Sequence, residues 1–164
     1  MHLGLIRLTR YETCKNPIEL DDYANGCYAL YQAENPCEKT FYYFEPDREE
    51  ENSNEPRCDY ILTTDDNSLI ATRFIELKGD NKKRNKKCCG DEWEHAFHQL
   101  YSTYCKYAEC IQPNEKYTFI LCTSIEKGRI NAPLFTKSAW YRKLREDISG
   151  GITVLYDGEC DTLY

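Results

Sequence analysis

The sequence predicts an α/β fold: a mixed central sheet of antiparallel strands plus a parallel strand, flanked by helices. Three observations carry this expectation. Two apolar, β-prone runs at 57–62 and 73–79 are joined by a polar turn through Asp65-Asp66-Asn67-Ser68, the pattern of a hairpin. A long helical pattern follows, with Trp93, Ala96, Phe97, Leu100, Tyr104, Ala108 and Ile111 on one face. After it, residues 117–123 form a compact apolar run that reads as a buried central strand. A strand reached through a helix is expected to pair in parallel with the strand bearing Glu76, by a right-handed crossover.

In chain order, residues 1–9 read as a short strand or irregular lead-in. Residues 18–32 read as a first helix, because apolar positions 20, 23, 24, 27, 30 and 31 recur at helical spacing, and Asn35-Pro36 ends it. Thr40-Phe41-Tyr42-Tyr43-Phe44 is an aromatic first strand. Residues 47–56 are a polar loop. Asp91, with Glu94 three residues on, caps the long helix, which Pro113 stops. Residues 134–147 read as a third helix, with Lys137, Arg142, Lys143 and Arg145 as its polar cover. Residues 152–156 are a last strand after Gly150-Gly151. With 164 residues and no linker or repeat, the chain is expected to be one domain, 1–164.

The hairpin carries the chemistry. With a four-residue tip, Thr64 faces Leu69 and Asp59 lands opposite Phe74. Side chains alternate along a strand, so Phe74, Glu76 and Lys78 share a face, and Asp59 converges on it. Two carboxylates are what Mg²⁺ takes from a protein, alongside water and phosphate oxygens. A lysine beside them can orient or deprotonate water, or stabilise the charge that develops on a phosphoryl group. Gly79 lets a backbone or ligand approach closely. The plainer reading is a surface hairpin with a charged wet face. Against it stand the acidic residue within apolar Phe74-Ile75-Glu76-Leu77 and an aspartate at the matching end of the partner strand.

Asp59, sixteen intervening residues and then Glu76-Leu77-Lys78 resemble the signature of the PD-(D/E)xK nuclease superfamily. That superfamily includes restriction endonucleases, Holliday-junction resolvases and small phage-defence or repair nucleases. The resemblance spans residues 40–123 and is strongest at 58–62 and 74–79. It implies a restriction-endonuclease-like core of helix, three-strand antiparallel meander, helix and further strand. It implies Asp59 and Glu76, with the Leu77 carbonyl, as ligands of Mg²⁺ (Mn²⁺ as substitute), and Lys78 as the catalytic lysine. Gln99 matches a glutamine that the following helix often carries. In-line attack would then leave 5′-phosphate and 3′-hydroxyl ends. Cys58 stands where the family's motif has proline, with Pro56 two residues earlier. For a further acidic residue on the first helix, Glu12, Glu19 and Glu34 stay open.

Net charge is −7 and the pI about 5.1, which argues against indiscriminate nucleic-acid binding. Yet Lys82-Lys83-Arg84-Asn85-Lys86-Lys87 leaves the rim of the hairpin site, and such a basic loop suits a phosphate backbone. DNA is the expected partner, with RNA not excluded, and the chain is expected to act as a homodimer or as a subunit of a larger complex. No run of 18 apolar residues predicts a membrane span, and the N-terminus is too soon polar for a secretory signal. Ten cysteines without such a signal suggest unpaired thiols in a reducing cytoplasm. Cys88, Cys89, His95, His98, Cys105 and Cys110 lack the paired spacing of a zinc site. The expectation is a metal-dependent nuclease of defence or repair. The alternative is a non-catalytic or partner-dependent nucleic-acid-binding subunit that keeps the fold.

Overall fold

Strict alternation of buried and exposed residues decides the N-terminal third. The computed structural model describes residues 10–13, 16–46, 54–64, 71–79, 90–107, 116–125, 133–147 and 151–163. Ile18 and Leu20 point inward while Glu19 and Asp21 face solvent; Tyr31 and Ala33 repeat the pattern. This period of two makes strands β2 (Ile18–Asp21) and β3 (Leu30–Glu34), paired antiparallel with Ile18 opposite Ala33. The helix expected over 18–32 is therefore not present. Its apolar positions are divided among two strands, the irregular segment at Cys27 and a short 3-10 turn, Tyr23–Asn25, which Gly26 closes at φ 79°. A left-handed residue there ends helical propagation. Neither Glu19 nor Glu34 reaches the hairpin site: both are exposed on the small sheet, Glu19 accepting from Gln32 Nε2 at 2.8 Å.

Two sheets form. The larger has six strands: β1 (Arg10–Thr13), β4 (Phe41–Phe44), β5 (Tyr60–Thr64), β6 (Ala71–Lys78), β7 (Lys116–Thr123) and β8 (Ile152–Leu155). Their order is β1-β4-β5-β6-β7-β8. Pairing is antiparallel from β1 to β6 and parallel from β6 to β8. The strand expected at 117–123 is thus central and parallel to the Glu76 strand. The smaller sheet runs β2-β3-β9, where β9 (Asp161–Thr162) joins β3 in parallel.

The hairpin register differs from the expected one. Tyr60 faces Ile75 and Ile61 faces Phe74, which sets Asp59 level with Glu76 rather than Phe74. The paired strands end at Thr64 and Ala71, leaving a connection of six residues instead of four. An offset of two preserves the face of every side chain, so Asp59 stays on the side of Glu76 and Lys78.

Helices cover one face of the six-stranded sheet and the small sheet covers the other. Helix α1 (Gly90–Tyr107) buries Trp93, Ala96, Phe97 and Leu100 against Phe74, Phe119 and Leu121. Ala108, Ile111 and the expected stop at Pro113 lie outside the described residues. The helix expected over 134–147 is divided into α2 (Pro133–Thr136) and α3 (Ala139–Asp147). Ser138 makes the break: its Oγ accepts the Tyr141 amide at 3.1 Å, capping α3. On the opposite face, Ile18, Leu20, Tyr31 and Ala33 pack on Tyr60, Leu62, Ile75, Leu77 and Ile120.

One polar clamp pins the layers. Arg73 Nε lies 2.5 Å from Asp161 Oδ2, which also accepts the Tyr31 hydroxyl at 2.8 Å, and Arg73 Nη2 donates to the Thr162 carbonyl at 3.2 Å. Burial, reinforced by Asp161, pushes the Tyr31 phenol far above its usual pKa, so it remains a donor. None of the described helices is long and apolar enough to cross a membrane.

Candidate active site

The site lies at the carboxyl end of β6, where the helical layer meets the sheet. Alpha helix α1 first fixes the approach to Asp59. Gln99 Nε2 donates to the Arg57 carbonyl at 2.8 Å, and Thr103 Oγ1 accepts the Cys58 amide at 2.8 Å while donating to the Gln99 carbonyl at 2.7 Å. Residues four apart share a helix face, so Gln99 and Thr103 grip successive residues of the incoming strand. The Arg57 side chain is itself buried, donating to Ser102 Oγ at 3.0 Å and pairing with Glu55. The grip on Arg57 and Cys58 was not legible beforehand, because its partners lie more than forty positions apart.

Asp59 then reaches across to β6. Its Oδ2 accepts the Leu77 amide at 2.7 Å. In a strand the N–H and C=O of one residue leave on the same side, so the Leu77 carbonyl faces the Asp59 edge as well. Glu76 is buried at 1% exposure, and its Oε1 lies 2.5 Å from Lys78 Nζ. Lys78 Nζ also donates to Gln99 Oε1 at 2.8 Å. The structure thus brings Asp59, Glu76, Leu77, Lys78 and Gln99 together. Gln99 bridges Lys78 to the backbone ahead of Asp59, one amide serving both.

Burial pulls the Lys78 pKa down, but the charge and hydrogen bond of Glu76, with Asp59 behind them, outweigh it and leave the pKa raised. The amine is held here as an ammonium, paired with Glu76 and donating to Gln99. Desolvation pushes the Cys58 thiol well up, with Glu76 adding to it. This explains a cysteine in the position before Asp59: it is fully buried and its Sγ contacts the Tyr60 carbonyl at 3.4 Å.

Gly79 closes the site. A Cβ there would lie 2.3 Å from the Tyr28 amide nitrogen, 2.4 Å from that of Ala29 and 3.0 Å from Cys27 Sγ. The close approach expected of this glycine is made by backbone, from the segment between β2 and β3. Burial raises the Cys27 thiol pKa, and Asp59 contributes in the same direction.

The donor set suits a hard cation. Two carboxylates and a main-chain carbonyl offer oxygen only, and Mg²⁺ takes one or two carboxylates, keeping water and phosphate oxygens for its other positions. No group of three His, Cys, Asp or Glu side chains converges among the described residues. His98 stacks on Trp140, and Cys105 is exposed. Lys82, Lys83, Arg84, Lys86 and Lys87 lie outside the described residues, as do Cys88, Cys89, Cys110 and Glu12's side chain. Six cysteines are unpaired among those described: Cys27, Cys37, Cys58, Cys105, Cys122 and Cys160. In comparisons with known proteins, no family model, no curated protein and no solved structure matches this chain.

Proposed function

We propose that this chain is a metal-dependent nuclease that hydrolyses phosphodiester bonds of DNA, built on a restriction-endonuclease-like core. One observation supports this reading above the others. Asp59, Glu76 and Lys78, far apart in sequence or on alternating strand positions, meet at the carboxyl end of β6 with Gln99 against the lysine. Asp59, Glu76 and the Leu77 carbonyl would hold Mg²⁺, with Mn²⁺ as a substitute. When bound, the ion supplies an acidified water and neutralises phosphate charge.

The chain's own residues do the rest. Lys78 would position or activate the attacking water, or donate to a non-bridging phosphate oxygen and stabilise charge that grows there. Gln99 would hold that ammonium in line, and Thr103 and Gln99 would hold Asp59 in register through Arg57 and Cys58. Lys82–Lys87 would meet the phosphate backbone. A reducing cytoplasm and a role in phage defence or repair go with this reading.

The test is cleavage of supercoiled plasmid, linear duplex and single-stranded DNA with Mg²⁺, Mn²⁺ or EDTA, wild type beside Glu76→Gln. Cutting that needs metal and Glu76 is the expected result; equal cutting by the variant would sink the assignment. The net charge of −7 favours one second reading, a partner-dependent or non-catalytic DNA-binding subunit. Salt-sensitive DNA binding without cutting in either metal would select it.

A further inference from the structure

Beside the carboxylate–lysine cluster, rings gather where α1 meets α3. His98 stacks on Trp140 with centroids 4.0 Å apart and planes 11° apart. Tyr101, almost one turn along α1, lies 5.4 Å from the same indole. The Lys143 ammonium sits 4.5 Å from the Trp140 ring centre and 5.6 Å from that of Tyr101. Tyr101 and Trp140 lean on the edge of the core while keeping part of their surface in solvent. Phe97, Phe135, Tyr141 and Leu144 already seal α1 against α2 and α3, whereas His98, Tyr101 and Trp140 stay partly exposed and Lys143 fully so.

Cations outnumber acids among the described side chains of α3. Arg142, Lys143 and Arg145 are exposed on α3, and Glu146 is the only acidic side chain described on that helix. The ridge shares helix α1 with the proposed active site, His98 preceding the Gln99 that holds Lys78. His95 lies one turn before His98 and Gln99 on α1. Its imidazole pKa is lowered by burial and then by the charges of Lys78 and His98.

We infer that the α1–α3 ridge is a binding track for an unpaired polynucleotide strand, with Trp140 and His98 as its base-stacking platform and Lys143 as its phosphate contact. The inference rests on the nuclease reading for its direction, toward Lys78. Its own support is complementarity. A single strand offers flat bases beside anionic phosphates, and the ridge offers rings beside the Lys143 ammonium. A duplex keeps its bases stacked internally and offers them no face. Protein interfaces are depleted of lysine at their centre, where this ridge sets Lys143 over its rings. Lys143 is on a flexible exposed stem, so an incoming base can displace its ammonium from the indole and leave it to pair with the adjoining phosphate.

The experiment is fluorescence anisotropy in EDTA with labelled oligo-dT, oligo-U and a DNA duplex, each of about 20 units, enough to exceed the usual single-strand site. Wild type should bind at least one single strand more tightly than the duplex, and binding should quench tryptophan emission. Trp140→Ala and Lys143→Ala should each weaken single-strand binding about tenfold, with Trp140→Phe retaining most of it. Loss of a base contact would leave duplex binding unchanged. Wild-type single-strand affinity in both Lys143→Ala and a correctly melting Trp140→Ala would overturn the track. Because no metal is present, the two ideas separate. Trp140-dependent binding by a protein that never cuts would keep the track and sink the nuclease. Glu76-dependent cutting with Trp140-independent binding would do the reverse.

Discussion

The Asp59 carboxylate takes the place of a neighbouring strand for Leu77: its Oδ2 accepts the Leu77 amide at 2.7 Å, beyond the start of β5 and while β6 still runs on. One side chain thereby completes the backbone pairing of the strand that carries Glu76 and Lys78. Its structural and chemical duties can be separated. Asp59→Asn keeps an acceptor oxygen and removes the charge, so it should melt close to wild type yet lose metal-dependent cutting. Asp59→Ala removes both and should cost about 1–3 kcal/mol in addition. Thermal melts beside a plasmid-nicking assay check this; an Asn variant that cuts normally would exclude a metal-binding role.

Gln99 touches Lys78 and the Arg57 carbonyl, and so acts by positioning. Gln99→Ala should slow turnover about tenfold, roughly one hydrogen bond to a charged group, while leaving KM nearly unchanged. Steady-state kinetics on a defined oligonucleotide would separate the two constants. A change confined to KM would mean that Gln99 binds substrate instead.

Gly79 has no room for a methyl group, since the atoms it would strike are the Tyr28 and Ala29 amide nitrogens at 2.3 and 2.4 Å. Backbone cannot swing aside as a side chain does. Gly79→Ala should destabilise the fold by about 1–3 kcal/mol, or more, by pushing the segment between β2 and β3 off the site. Urea denaturation measures this, and wild-type stability would show that the segment yields easily.

Arg73 binds Asp161, which binds Tyr31, linking both sheets. Removing one partner strands a mostly buried charge. Arg73→Ala should therefore cost about 3 kcal/mol. The double variant with Asp161→Ala should cost less than the sum of the singles, because the second change removes the stranded carboxylate. Additive losses would mean that the two do not interact.

Thiol reactivity should follow burial. Cys37, Cys105 and Cys160 are exposed, whereas Cys58 and Cys122 are buried with pKa values pushed up mainly by desolvation. A raised pKa lowers the thiolate fraction at any given pH, and the thiolate is the nucleophile. Iodoacetamide at pH 8 should mark the three exposed cysteines first. Cys27, half-buried and raised, should lag and gain reactivity only at higher pH than a free thiol. Cys58 and Cys122 should label only on unfolding. Peptide mapping by mass spectrometry reads all six, and early labelling of Cys58 would contradict its burial beneath α1.

The residues at 18–34 show where local reading stops. Leu20, Tyr23, Ala24, Cys27, Leu30 and Tyr31 satisfy a helical stripe, yet Ile18, Leu20, Tyr31 and Ala33 also satisfy two alternating strands. Spacing alone does not choose between them. The choice falls to the apolar face of the large sheet, where Leu62, Ile75, Leu77 and Ile120 need a cover, and two strands provide it. Similarly, nothing local marks Ser138 as a break, since its capping of Tyr141 becomes visible only with Phe135 seated in the core.

What the sequence by itself determined was the set of properties that repeat along a strand or helix. Alternation put Glu76 and Lys78 on one face of β6, and a two-residue error in the hairpin register could not move Asp59 off that face. Helical spacing determined the buried side of α1, and an uninterrupted apolar run identified β7 as a central strand. Tertiary structure decided what depends on partners distant in the chain: Gln99 against Lys78, twenty-one positions away, Thr103 against Cys58, forty-five away, and Tyr28 against Gly79. The physical reason is that periodicity records only which way a side chain points. What it meets there depends on how separate layers pack, and no local pattern carries that information.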